Sequence, residues 1–118
     1  MAFLLMILEP RGQRSDRTLD EGRELFDRMV AFGDDLREKG ILLATESLRA
    51  DDHAIRVRQV SGKAQLLDGP FAEAKEMVGG FYLLNVASRD EAVAIAARCP
   101  AVEWATVEVR ECAPCYVS

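Results

Sequence analysis

Two segments of the chain are apolar at almost every position, and they limit the fold more than any other feature of the sequence. They are Phe3-Leu4-Leu5-Met6-Ile7-Leu8 and the stretch from Gly80 to Val86. Apolar runs of this length are typical of β-strands buried on both faces, because successive side chains of a strand point to opposite sides of the sheet. The fold must therefore cover both faces of a sheet that contains these strands.

Two capping boxes predict where helices begin. Thr18 and Glu21 have the Thr-x-x-Glu spacing, and Ser88 and Glu91 have the equivalent Ser-x-x-Glu spacing. In such a box each side chain bonds the backbone N–H of the other residue, which satisfies donors at the helix start. The first helix is predicted to stop at Gly40. Its apolar residues at helical spacing are Leu25, Met29, Phe32 and Leu36.

The remaining strand-like segments complete a symmetric order of elements. Ile41 to Leu48 and Trp104 to Arg110 are predicted strands, and residues 54 to 67 are predicted to form a β-hairpin around Ser61-Gly62-Lys63. The order is strand, helix, strand, hairpin, strand, helix, strand, so two βαβ halves follow one another. Right-handed crossovers place both helices on one side of the sheet. We therefore expect one domain, residues 1–118, with an α+β, ferredoxin-like fold and an antiparallel sheet.

A single layer of two helices covers only one face of this sheet. If several large apolar side chains stayed exposed to water on the other face, the fold would lose about 1.5–3 kcal/mol of burial free energy for each of them. It would also create a larger apolar patch than soluble monomers usually carry. A second copy of the chain is the simplest cover, and we predict a two-fold homodimer with the sheets facing each other.

Composition and charge exclude several function classes. The formal net charge is −5, which disfavours nucleic-acid binding, because such binding depends on Lys and Arg neutralising phosphates. The local cluster of Arg11, Arg14 and Arg17 is more typical of a solvated loop than of a phosphate site. No run approaches the ~20 apolar residues of a membrane span, and the first residues lack the features of a signal peptide. We expect a cytoplasmic protein.

The most specific string of the sequence runs from Asp68 to Glu76, with the letters DGPFAEAKE, and is followed by GGFYLL from Gly79. No rule of helix, strand or loop composition requires it. The chain resembles the DGPF group of YCII-related proteins, whose signature is DGPFAETKE followed by GGFYL. The resemblance extends over nearly the whole chain and departs from the signature at Ala74, where the group has Thr. It implies the same ferredoxin-like fold and a dimeric α/β barrel.

The signature also contains the main candidates for chemistry. Asp68, Glu73, Glu76 and Lys75 lie within nine residues, and burial beside a barrel strand raises a carboxyl pKa enough for proton transfer. A turn with solvated charges is the alternative interpretation of the same residues. On the first interpretation Asp68 is the catalytic proton carrier. The ligand-binding residues are then predicted to be Gly69, Pro70, Phe71, Glu73, Lys75 and Tyr82.

Other residue types support little chemistry. Enzymatic relatives in the YCII branch carry a His and an Asp as an acid–base pair, but the only histidine here is His53, outside the first helix. The three cysteines, Cys99, Cys112 and Cys115, predict reduced thiols, and no second Cys-x-x-Cys accompanies residues 112–115 to form a zinc site. We therefore predict neither a metal nor a cofactor.

Two functions remain open at this point. The first is a small-molecule-binding protein with a dimer-associated pocket between the sheet and the Asp68 to Glu76 segment. Its ligand is an aromatic or acidic metabolite, and it is an isomerase-like or lyase-like acid–base enzyme without a cofactor if it is catalytic. The alternative is a non-catalytic regulatory or interaction module, which fits the association of such proteins with alternative sigma factors.

Overall fold

The computed structural model describes residues 2 to 118, and its elements follow the predicted order. The bounds are β1 (Ala2–Pro10), α1 (Leu19–Glu38), β2 (Leu42–Ser47), β3 (Ile55–Val60), β4 (Lys63–Asp68), β5 (Glu76–Asn85), α2 (Arg89–Arg98) and β6 (Thr106–Glu111). Short 3-10 helices lie at Arg14–Asp16, Asp51–His53 and Pro100–Glu103. Within residues 2–118, neither α1 nor α2 has the length and apolar character needed to cross a membrane.

Four of the six strands form one antiparallel sheet in the order β2-β5-β1-β6. This is the order of a ferredoxin-like fold, in which two split βαβ halves interleave, and the predicted fold class is confirmed. The hairpin of β3 and β4 forms a separate two-stranded sheet. Its turn residues Ser61 and Gly62 both have positive φ, 52° and 78°, which suits the right-handed twist of the flanking strands.

The first helix follows the sequence signals at both ends, whereas the predicted second capping box is only half formed. The Glu91 N–H donates to Ser88 Oγ at 3.2 Å, but Glu91 Oε2 accepts from the N–H of Ala87 and not from that of Ser88. The Thr18 backbone N–H donates to Glu21 Oε1 at 2.9 Å, and the Glu21 N–H donates to Thr18 Oγ1 at 3.1 Å, which confirms the first capping box. Gly40 ends α1 at φ 71°, and the N–H of Ile41 donates to the carbonyl of Leu36. This is the Schellman arrangement that satisfies the last carbonyls of a helix.

The core lies between the sheet and the two helices. Along β1 the side chains of Phe3, Leu5 and Ile7 are buried on this face, and they alternate with half-buried residues on the other face. Leu36 of α1 is 1% exposed and packs in the same cluster. Further members of this core include Tyr82, Leu84, Val86, Ala92, Ile95, Ala96, Cys99 and Ala101.

β5 begins earlier than the sequence predicted. The predicted strand started at Gly80, but the observed strand starts at Glu76. Its first residues pair with the end of β1, because a bulge at Gly79 changes the register between Ile7 and Leu8 and lets the ladder continue to Pro10. The last residue of the signature is therefore part of the sheet.

The second face of the sheet carries paired apolar side chains. Leu4 lies opposite Leu83, and Met6 lies opposite Phe81, with all four side chains only partly buried. Both helices pack on the other face. The predicted homodimer would cover these side chains, and dimerisation stays a prediction.

Truncation of Leu36 to alanine should destabilise the fold by about 2–5 kcal/mol, because it removes a buried side chain and leaves a cavity. Leu19→Ala on the same helix is the matched control. Leu19 is 70% exposed, so its truncation should change the free energy of unfolding by no more than about 0.5 kcal/mol. Urea denaturation of both variants measures the difference, and equal losses would contradict the placement of α1.

Candidate functional site

A large cavity of about 900 Å³ lies between α1 and the sheet. Its volume is at the upper end of what small-molecule sites usually have. Apolar and aromatic side chains form much of its wall, and the central ones are Leu25, Phe26, Met29 and Trp104. The charged residues Glu9 and Arg14 also line it. The cavity can therefore hold a ligand with a mostly apolar body that also carries polar groups.

Glu9 reaches this cavity because of the alternation of β1. It follows Phe3, Leu5 and Ile7 in the series of inward-facing positions, and it is only 6% exposed. Arg14, on the 3-10 helix that follows β1, places Nε 2.5 Å from Glu9 Oε1 and Nη2 3.2 Å from Glu9 Oε2. A buried carboxylate requires such a partner, since an isolated buried charge is very costly.

Arg14 also connects the ends of neighbouring strands. Its Nη1 donates to the carbonyl of Leu48 at 2.7 Å, just beyond β2, and its Nη2 lies 3.4 Å from the carbonyl of Gly79 in β5. The guanidinium is therefore held by partners from three segments of chain. Glu9 is in turn fixed at one position in the cavity.

One oxygen of Glu9 lacks a hydrogen bond. Among residues 2–118, no donor makes a hydrogen bond to the buried Oε1 atom, although Arg14 Nε is close to it. The contact is a charge contact whose N–H is not aligned with the oxygen. Buried polar atoms in native proteins nearly always have a hydrogen-bond partner, so the Oε1 atom is an exception, stabilised by the charge of Arg14 alone.

The glycine pair of the signature makes room for this carboxylate. A Cβ atom on Gly79 would collide with Oε2 and Cδ of Glu9. A Cβ on Gly80 would lie 2.8 Å from the carbonyl oxygen of Glu46 on the neighbouring strand. Side chains at these two positions would displace Glu9 or spread the sheet, which explains the physical requirement for Gly79-Gly80.

Tyr82 lies on the wall of the same cavity, and both its ring and its hydroxyl are engaged with residues of α1. Its hydroxyl donates to the carbonyl of Met29 at 2.8 Å, and its ring meets Phe32 edge-on with centroids 5.3 Å apart. Burial, with a smaller effect from Cys99, raises the pKa of the Tyr82 hydroxyl well above its usual value. Tyr82 is therefore a neutral wall residue and not a proton carrier.

A second, smaller pocket of about 620 Å³ lies beside the signature segment. Its centre is an ion pair in which Arg11 Nη1 donates to Asp51 Oδ1 at 2.7 Å and Nη2 donates to Oδ2 at 2.5 Å. The N–H of Phe71 also donates to Asp51 at 3.3 Å, and Arg11 Nε donates to the carbonyl of Ala74. This ion pair therefore fastens the signature loop to the sheet.

Further contacts in the loop are structural as well. A Cβ on Gly69 would collide with the carbonyl of Asp51. A larger residue at position 69 would therefore force apart the two backbone segments that contain Gly69 and Asp51. The Arg56 guanidinium lies 3.6 Å from the centroid of the buried Phe71 ring. Gly69 and Phe71 thus have packing roles that do not require a ligand.

The structure separates the predicted site residues into two places. Tyr82 lines the large cavity, whereas Phe71 lines the smaller pocket. Asp68 ends β4 in an exposed position and lines neither cavity. Glu73 and Lys75 are exposed on the loop. Catalysis by Asp68 stays a prediction, as does ligand binding by Gly69, Pro70, Phe71, Glu73, Lys75 and Tyr82.

His53, the cysteines and two acidic residues near the end of α1 have ordinary surroundings. His53 is exposed, with its Nε2 3.2 Å from an Arg49 nitrogen. Asp34 and Asp35 form surface pairs with Arg37 and Lys39. The free cysteines are the buried Cys99 and the exposed Cys112 and Cys115.

Sequence reasoning missed Glu9 and Arg14, the charged pair of the large cavity. Glu9 was interpreted as the end of a strand, and Arg14 as part of a solvated basic cluster. The signal was present in the alternation, because an acidic residue at the next inward position after Phe3, Leu5 and Ile7 must be buried with a partner.

The fold and cavity define an α+β protein with a ligand-sized site between the first helix and a ferredoxin-like sheet. Residues 2–115 match the model of the YCII-related domain, and the chain belongs to this family. The resemblance seen in the sequence is thereby confirmed at the level of the family.

Two individual proteins are also similar to the chain. A 40-residue segment is 50% identical to the uncharacterized protein R00369 of Rhizobium meliloti (strain 1021) and covers 34% of this chain and 32% of that protein. The fold is similar to that of 5-chloro-2-hydroxyhydroquinone dehydrochlorinase (TftG) from Burkholderia phenoliruptrix AC1100, solved in complex with 2,5-dihydroxybenzoquinone. That similarity has a TM-score of 0.55 and 16% identity, over 96% of this chain and 94% of the other.

The Asp51 anchor gives a pH-dependent prediction. The hydrogen bonds from Arg11 hold the pKa of the Asp51 carboxyl below its usual value; burial opposes this shift, and the Phe71 N–H adds to it. A carboxyl with a lowered folded-state pKa stabilises the fold above the unfolded value of about 3.9. That contribution is lost as pH falls through the folded-state pKa.

Asp51→Asn should therefore lower the urea midpoint at neutral pH, and the difference from wild type should shrink below about pH 4. Asp52→Asn is the matched control, because the Asp52 side chain is 60% exposed and should change the midpoint little. A midpoint difference for Asp51→Asn that is the same at every pH would contradict the role of this ion pair.

Proposed function

We propose that this YCII-related protein binds a small, hydroxylated, mostly apolar metabolite in the cavity between α1 and the sheet. The observation that carries the proposal is the buried Glu9 carboxylate in the wall of a ligand-sized cavity, whose Oε1 atom has no aligned hydrogen-bond donor from residues 2–118. A ligand hydroxyl would supply the missing donor. The aromatic wall formed by Phe26 and Trp104 suits a planar ring.

The same arrangement supports acid–base chemistry without a cofactor. Glu9 is the proton acceptor of the proposal, because its carboxylate is fixed, buried and within the cavity. Arg14 holds this carboxylate by charge and by a hydrogen bond. Removal of a proton from a hydroxylated ring is the first step of isomerase-like or lyase-like reactions. TftG binds a dihydroxybenzoquinone, but its similarity to this chain concerns the fold alone.

The second candidate function is a non-catalytic interaction module, with an alternative sigma factor as the proposed partner. One feature favours it: the hairpin of β3 and β4 exposes Ile55, Val57 and Leu66 by 59%, 63% and 69%. The register places Val57 directly opposite Leu66, so these side chains share a face. Exposed apolar patches are typical of protein-contact surfaces.

A ligand screen separates the two functions. We expect hydroxylated aromatic compounds, with 2,5-dihydroxybenzoquinone among them, to raise the Tm of the wild-type protein, because a ligand that binds only the folded state stabilises it. Glu9→Gln should weaken that binding about tenfold, since a hydrogen bond to a charged acceptor is roughly twice as strong as a neutral one.

Asp68→Asn is the control in the same screen and should bind as wild type does. Binding that survives in Glu9→Gln but is lost in Asp68→Asn would move the site to the signature loop. A screen without any stabilising compound would favour the interaction module.

We also propose that the protein is a homodimer through the open face of the sheet. The pairs Leu4–Leu83, Met6–Phe81 and Leu8–Val78 form a continuous apolar surface across β1 and β5. A sheet face of this kind in a second copy is complementary to it by symmetry. The dimer would remove these side chains from water without using either helix.

Sedimentation should give twice the 13.1 kDa mass of the chain. Val78→Lys places a charge on the apolar face and should shift the protein towards monomer, because burying an unpaired charge is costly. Val93→Lys is the matched control, since Val93 on α2 has nearly the same exposure, 41% against 39%. A monomeric wild type, or equal behaviour of the two variants, would refute the proposed interface.

A further inference from the structure

The wall of the large cavity includes two arginines whose charges have no ion-pair partner within 4.0 Å in the described part of the chain. Arg17 and Arg23 both line it, and none of the salt bridges within residues 2–118 includes either one. Arg17 Nη2 donates to Gln13 Oε1 at 2.8 Å, which leaves its other N–H groups available. The remaining two arginines of the wall are engaged, Arg14 with Glu9 and Arg37 with Asp34.

The carboxylates of the wall do not offset these two charges. Glu9 is paired with Arg14, and Asp34 is paired with Arg37. Glu46 also lines the cavity, but it lies opposite Phe81 in the sheet register. Its side chain therefore belongs to the face of the sheet that is turned away from α1.

We infer that the ligand of this cavity carries an anionic oxygen group that binds Arg17 and Arg23, in addition to the hydroxyl that binds Glu9. This inference rests on the proposed function of the same cavity. The guanidinium group presents N–H donors in a planar fork that matches a carboxylate or a phosphate. The ligand class is therefore an aromatic acid with a ring hydroxyl.

A singly charged carboxylate fits better than a phosphate. Asp20 and Glu21 lie in the first turn of α1, close to Arg17 in sequence. Arg17 also helps to lower the pKa of Glu21, after the larger effects of the Thr18 hydrogen bonds. These acidic residues reduce the positive potential near Arg17, and they disfavour a second negative charge on the ligand.

The test uses calorimetric titration with a matched set of probes. 4-Hydroxybenzoate has both groups, 4-hydroxybenzamide lacks the negative charge, benzoate lacks the hydroxyl, and 4-hydroxyphenyl phosphate replaces the carboxylate. We expect wild type to bind the hydroxy acid about tenfold more tightly than the amide, because charge-assisted hydrogen bonds are the stronger ones. Raising the salt concentration should weaken binding of the acid more than binding of the amide.

The variants assign each group to its partner. In the double variant Arg17→Gln/Arg23→Gln, the preference for the acid over the amide should disappear. Both side chains are at least partly exposed, so the variant is expected to fold, and far-UV circular dichroism checks this. Arg58→Gln on the exposed β3 is the matched control and should keep the preference.

The outcomes also separate this inference from the proposed function. If wild type bound the acid and the amide equally and Glu9→Gln weakened both, the inference of an anionic group on the ligand would be overturned. The proposed binding site at Glu9 would still be supported. Tighter binding of the phosphate than of the acid would overturn the choice of a carboxylate. Absence of binding by every probe at about 5 mM would overturn the inference and the proposed site together.

Discussion

The buried contact between Glu9 and Arg14 determines how one end of the sheet is built. A carboxylate that is 6% exposed must have a cation beside it. Arg14 supplies that cation and also binds the carbonyl that follows β2. Gly79 has to be a glycine because the carboxylate occupies the space of its side chain. Gly79, which lies at the bulge in β5, and this part of the cavity wall therefore both depend on one ion pair.

The ion pair between Arg11 and Asp51 has a different structural role from that between Arg14 and Glu9. Arg11 and Arg14 are three residues apart, but Arg11 binds Asp51 and the signature loop, whereas Arg14 binds Glu9 and the cavity. The signature is therefore conspicuous in sequence for reasons of architecture: Gly69 must pass close to the Asp51 carbonyl, and Phe71 must bury its ring. These requirements account for much of the motif without any chemistry.

The fold was predictable from sequence because its signals are local. The Thr18 capping box, the stop at Gly40 and the turn at Ser61-Gly62 each satisfy backbone groups within a few residues, and each is found where expected. The site was not predictable in the same way. Arg14 and Trp104 line one cavity although 90 positions of chain separate them. No local sequence pattern predicts that two such distant residues share a cavity. Glu9 was the exception, because strand alternation alone required it to be buried.

The position of the cavity changes the relation between binding and dimerisation. Sequence reasoning placed the pocket in association with the dimer, on the assumption that the signature and the apolar face form one site. In the structure, Glu9, Tyr82 and α1 surround the large cavity on the helix side, whereas the side chains of Leu4, Met6 and Leu83 lie on the opposite face. A four-stranded sheet therefore separates the cavity from the proposed interface. The residues of the proposed site all come from one chain, so in the proposed dimer an interface mutation would reach the ligand only by moving β1 or β5.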